Sequence, residues 1–114
     1  MNSQQVDLIN NIKLSNIANK KGYKIIPSSI YNGHGTTNHT KKVITLGACI
    51  TNNRNIILSH ELGHIYFKRI SKVFIILNEI IAWIIGYIIC KINKIDTSEF
   101  KYIMMNCLKT YIKY

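Results

Sequence analysis

Acidic side chains are scarce in this 114-residue chain. Asp7, Glu61, Glu79, Asp96 and Glu99 stand against 15 Lys and Arg, for a formal charge of +10. That balance fits nucleic acid, an acidic partner or a membrane surface, or simply a solvated lysine-rich exterior. No run of like charge exceeds two residues, which favours the last of these. Glu61 and Glu79 lie within apolar segments, where an unpaired carboxylate is costly, and this marks both as candidates for function.

Other scarcities exclude further classes. Cysteine occurs only at 49, 90 and 107, with no CxxC pair and an odd count, so neither a disulfide framework nor a cysteine metal site is expected. Free thiols in a reducing compartment fit better. Arginine occurs twice, while Ile, Asn and Lys number 24, 13 and 13, the mark of AT-rich codons rather than of function. No basic start leads into an apolar run, so no secretory signal is read and a cytoplasmic protein is expected. Neither a repeat nor a linker divides the chain, and residues 1–114 are read as one domain.

One apolar run is long. Val73 to Cys90 spans 18 residues between basic flanks and approaches the length of a membrane span. Asn78 and Glu79 interrupt it, and a carboxylate in mid-bilayer costs about 2.5–3.5 kcal/mol even on insertion scales. A buried helix carrying one functional acid is the expectation, with no membrane association.

The chain turns on His60-Glu61-Leu62-Gly63-His64. Residues four apart share a helix face, so His60 and His64 can offer two imidazoles to one metal ion. Glu61, one position round, can take a proton from water beside that metal. With four His and three Glu in the chain, a chance H-E-x-x-H has a probability of roughly 0.4%, low enough to treat the motif as chemistry. Neutral imidazole suits Zn²⁺, and the arrangement is that of zinc metalloproteases.

Around it the sequence predicts a helix from a Ser3 cap to about Lys20, with Val6, Leu8, Ile9, Ile12 and Ile17 as its apolar side, stopped at Gly22. Tyr23 to Ile26 reads as a strand ended by Pro27, with Ser28 to Tyr31 as a short continuation. Residues Asn32 to Thr40 read as a loop or hairpin connection, and Lys42 to Leu46 as a strand. A helix of about Asn52 to Ile70 follows, capped by Thr51, with Ile56, His60, Gly63, His64 and Phe67 facing inward. Gly63 costs helix propensity, and room for a neighbouring backbone or the metal site is the expected return. The apolar helix around Val73 to Ile92, a break at Asn93 to Thr97 and a last helix from about Ser98 to Tyr114 complete the chain. Phe100, Ile103, Met104, Cys107, Leu108 and Tyr111 form the last helix's apolar side.

Two ligands leave zinc incomplete, since catalytic sites carry three plus water. Glu79 is the candidate third, fifteen residues after His64, a spacing that lets one helix end and the next return. The stretch Asn53 to Ile65 together with Glu79-Ile80-Ile81-Ala82-Trp83 resembles the ImmA/IrrE metallopeptidases. In that family a helix bearing HELGH precedes one whose E-x-x-A Glu completes the zinc site. The resemblance implies an α+β, zincin-like metallopeptidase domain, mostly helical with a small N-terminal sheet. It further implies Zn²⁺ held by His60, His64 and Glu79, Glu61 as proton carrier, and a helix-turn-helix repressor of a mobile element or stress response as protein substrate. The strand Lys42 to Leu46, if a sheet edge above the cleft, could pair with an extended substrate. His34, His39, Tyr66, Tyr87 and Tyr102 are open candidates for stabilising an oxyanion, and the sequence does not choose among them. The alternative is a non-catalytic, zinc-containing basic domain that binds a repressor or DNA.

Overall fold

A computed structural model describes residues 2–28, 35–47, 51–67 and 75–112. The order is α1 (Ser3–Lys20), β1 (Lys24–Pro27), β2 (Gly35–Asn38), β3 (Val43–Leu46), α2 (Thr51–Tyr66), α3 (Ile75–Ile92) and α4 (Phe100–Ile112). The architecture is α+β and mostly helical, as the sequence predicts.

Helix α1 begins one residue earlier than the Ser3 cap implies. Asn2 is the cap: its Oδ1 accepts from the Gln5 amide at 2.9 Å, and its own N–H donates to Gln5 Oε1 at 3.0 Å. A Ser3 cap would place Val6 at the return position, which cannot answer that second bond. Of the expected apolar side only Ile17, half-buried, packs against the core. Val6, Leu8, Ile9 and Ile12 are exposed, and the buried stripe is Asn10, Leu14 and Ala18. Polar pairing decides this. Buried Asn55 of α2 donates to the Asp7 carbonyl at 2.9 Å and accepts from Asn11 at 3.3 Å, which fixes the face α1 turns to α2. Gly22 ends the helix at φ +84°, with its N–H on the Asn19 carbonyl.

The sheet order is β1-β3-β2. β3 runs parallel to β1, with Lys24 opposite Val43, and antiparallel to β2, with Thr37 opposite Ile44. Two expectations change here. β3 is the central strand rather than an edge, because it satisfies ladder bonds on both sides. The turn-rich stretch holds a strand, β2, leaving only residues 39–42 as the hairpin connection. Pairing with β3 outweighs the low strand propensity of Gly-Thr-Thr-Asn. Pro27 belongs to β1, opposite Leu46, at an edge where its missing N–H leaves no gap. Ser28 lies outside any strand, and residues 29–31 and 32–34 fall outside the described residues.

Ile44 and Leu46 of β3 share one buried core with Ile56, Leu58 and Leu62 of α2. Trp83, Ile89 and Cys90 of α3 and Phe100, Ile103 and Leu108 of α4 close the core on the other side of α2. Tyr111 falls outside the residues whose side chains are described. Helices α2 and α3 approach through two glycines. A Cβ at Gly63 would overlap the Ala82 carbonyl, and one at Gly86 would lie 2.8 Å from the Ser59 oxygen. The room at Gly63 is therefore used by neighbouring backbone.

Helix α3 is buried on one face only. Asn78, Glu79, Ala82, Trp83, Gly86, Ile89 and Cys90 face inward, while Leu77, Ile80, Ile84 and Ile88 lie open. Its mean hydropathy of 2.0 and its length would suffice to cross a membrane, and 39% of it is buried in the fold. The expectation of a buried helix holds for the face that carries Glu79 and not for the opposite one.

Candidate metal centre

The two histidines and Glu79 meet between α2 and α3. Successive turns of α2 bring the His60 and His64 rings edge-to-face, with centroids 4.6 Å apart and Nε2 atoms 3.2 Å apart. The close α2–α3 approach brings Glu79 Oε2 to 2.6 Å from His64 Nε2 and 3.4 Å from His60 Nε2. Three ligands of a tetrahedral zinc with bonds of about 2.0–2.1 Å would be roughly 3.3 Å apart, so this triangle is close to the one zinc needs. All three ligand atoms lie within 4.8 Å of one another, and the group could hold a metal ion. Donor chemistry agrees with the geometry: two imidazoles and a carboxylate, with His60 and Glu79 buried and His64 partly open.

Glu61 stands beside the group without joining it. Its Oε2 is 3.9 Å from His60 Nε2, and its Oε1 accepts a 2.7 Å hydrogen bond from Thr37 Oγ1 on β2. One carboxylate oxygen is thus tied to the sheet while the other points at the cluster. Gly35 permits this approach, since a Cβ there would press on Glu61 and Ile57 at 3.1 and 3.0 Å.

His60 is set by stacking. Its ring lies on Trp83 at 4.0 Å and 16°, and its buried Nδ1 has no hydrogen-bond partner among the described residues. Metal-bound imidazoles commonly donate through the second nitrogen; here an aromatic plane fixes the ring instead. Phe100 backs Trp83 edge-on at 5.5 Å, so α4 supports the centre from behind.

A cleft of about 560 Å³ opens over the cluster. Gly35, Thr36, Thr37 and His39 wall one side and Asn78, Glu79 and Trp83 the other, with Phe67 and Cys107 at its margins. The Cys107 thiol is pushed up by burial first and then by the Glu79 and Glu61 carboxylates.

The structure brings together all four residues singled out in the sequence: His60, His64, Glu79 and Glu61. Of the four oxyanion candidates among the described residues only His39 lines the cleft, with Nδ1 2.8 Å from the Tyr23 hydroxyl. Tyr66, Tyr87 and Tyr102 are exposed elsewhere, and His34 is outside the described residues. Thr37 and the role of Trp83 were missed. The spacing Glu79–Trp83 is i, i+4 on one helix face and could have shown the latter; nothing in the sequence ties Thr37 to Glu61. No known protein family, curated protein or solved structure matches the chain.

Proposed function

We propose that the chain is a zinc-dependent endopeptidase of zincin type, akin to the ImmA/IrrE peptidases, acting in the cytoplasm on a helix-turn-helix transcriptional repressor. The observation that carries this reading is a carboxylate, Glu61, aimed at a three-ligand cluster yet bonded to the sheet rather than serving as a ligand. A structural zinc site would be closed by four protein ligands, commonly including Cys. Here Glu61 stays out of the ligand triangle, and among the described residues no cysteine joins the group.

Zinc in this group would supply Lewis acidity, polarising a carbonyl and bringing the pKa of water towards about 7. The chain's own residues do the rest. Glu61 accepts the proton through Oε2 as water oxygen bonds to the scissile carbonyl carbon, then delivers it to the amide nitrogen as the C–N bond breaks. Thr37 holds the other oxygen of Glu61 and so fixes the direction of transfer. β2, an edge strand beside the cluster, offers main-chain groups that are unpaired among the described residues to an extended peptide.

Metal content of the purified protein, wild type beside His60→Ala, is the first test. About one zinc per chain, lost in the variant, supports the centre. Glu61→Gln should then retain zinc and lose peptide cleavage by about 10²–10⁴-fold. Zinc bound with cleavage unchanged in that variant would reject the mechanism. Zinc bound with no cleavage by the wild type would move the non-catalytic binding domain to the front.

A further inference from the structure

Lysine is scattered along the sequence, yet five lysines meet at one end of the sheet. Lys20 and Lys21 close α1, Lys24 opens β1, and Lys41 and Lys42 lie in the β2–β3 turn; all five are exposed. Backbone pairing draws them together. The Lys24 N–H donates to the Lys42 carbonyl at 2.9 Å, and the Lys42 side chain lies against Gly22. Lys21 Nζ sits 4.8 Å over the Tyr66 ring, which joins the end of α2 to the same pole.

No described acid relieves this charge. Asp7 is at the far end of α1, Glu61 and Glu79 are in the cleft, and Asp96 and Glu99 lie in the α3–α4 turn. Five like charges gathered within reach of one another repel, and an anionic partner would remove that cost.

The pole is continuous with the cleft. Thr37 bonds Glu61, Asn38 ends β2, and His39 lines the cleft while packing edge-on to Tyr23, two residues after Lys21. A chain lying along β2 would pass from the metal cluster to Lys41 and Lys42 within a few residues, at about 3.3 Å per residue. We propose that this pole is a subsite for an acidic stretch of peptide, lying a few residues from the bond held at the metal centre. Its place relative to a scissile bond rests on the peptidase reading given above. An extended peptide suits the pole better than nucleic acid, because the edge strand β2 that leads from the cleft into it offers main-chain pairing at a peptide's own repeat.

The test is fluorescence anisotropy with the intact protein and a labelled hexaglutamate peptide, against hexaglutamine. The double variant Lys41→Gln/Lys42→Gln is compared with Lys101→Gln/Lys109→Gln, which removes the same charge from the exposed side of α4. The turn variant should bind hexaglutamate at least about threefold more weakly than the α4 variant. Lys20→Gln/Lys24→Gln should repeat the effect, and it serves as the readout if the turn variant does not fold. Equal losses in the pole and α4 variants would overturn the subsite in favour of diffuse charge. Lysine-dependent binding of a short DNA duplex in preference to the peptide would overturn it in favour of nucleic acid. Pole-dependent peptide binding without cleavage by the zinc-loaded protein would uphold the subsite while dismissing the peptidase reading.

Discussion

Thr37 and Glu61 are joined by a 2.7 Å hydrogen bond that spans the edge strand and the helix carrying His60 and His64. Glu61 is 4% exposed, and a charge-assisted bond of this length restrains a carboxylate that would otherwise have several rotamers available. On the peptidase reading, Thr37→Val should lower kcat about tenfold or more with little change in KM, while Thr37→Ser restores most of the loss. Steady-state kinetics on one peptide substrate decides it. Equal activity in the Val variant would show that Glu61 is held by its surroundings alone.

Glu79 completes the ligand triangle from a different helix, with Oε2 2.6 Å from His64 Nε2. Removing it leaves two imidazoles on α2. Glu79→Ala should weaken zinc binding by at least about 100-fold, read by competition with a chromogenic chelator. It should also abolish any rise in Tm that zinc gives the wild type, since a metal bound only by the folded state stabilises by mass action.

Gly63 is where α2 and α3 come closest. Alanine is the better helix former by roughly 1 kcal/mol, but its Cβ would collide with the Ala82 carbonyl, and backbone cannot rotate away. Gly63→Ala should therefore destabilise the fold by about 1–3 kcal/mol in urea unfolding. Because Ala82 is three residues from Glu79, the same variant should weaken zinc binding. A gain in stability would mean that the helices separate easily.

Cys90 is fully buried, and burial pushes its thiol above the ordinary value of 9.0, opposed by a hydrogen bond with Ser59. The sign follows from proton counting. As pH rises through 9.0 the unfolded chain loses this proton first, so the folded state is favoured below that value and loses ground above it. Stability should decline between pH 9 and the higher folded-state value, and Cys90→Ala should decline less steeply. Urea unfolding of both proteins across that range is the check.

Much of the site was legible in the sequence because helix geometry is local. His60, Glu61 and His64 share a face or adjoin by spacing alone, and the cost of a carboxylate within an apolar helix marked Glu79 before any partner was known. The end of α1 at Gly22 and the break after Ile92 were equally local, set by turn chemistry. Propensity misled where contacts across the chain took over. α1 turned the side carrying Asp7 and Asn11 towards α2 because Asn55 pairs with the Asp7 carbonyl and the Asn11 side chain, and Gly35–Asn38 became a strand because β3 had an edge to pair with.

The sequence alone determined which residues could bind a metal and which could carry a proton, since those capacities reside in side-chain chemistry and one helical period. Only the tertiary structure decided that Glu79 reaches the histidines, that Thr37 holds Glu61, that Trp83 fixes His60, and that five scattered lysines share one pole. Each of these joins residues on different elements, and their meeting depends on how closely two glycines let the helices approach and on the register of a three-stranded sheet.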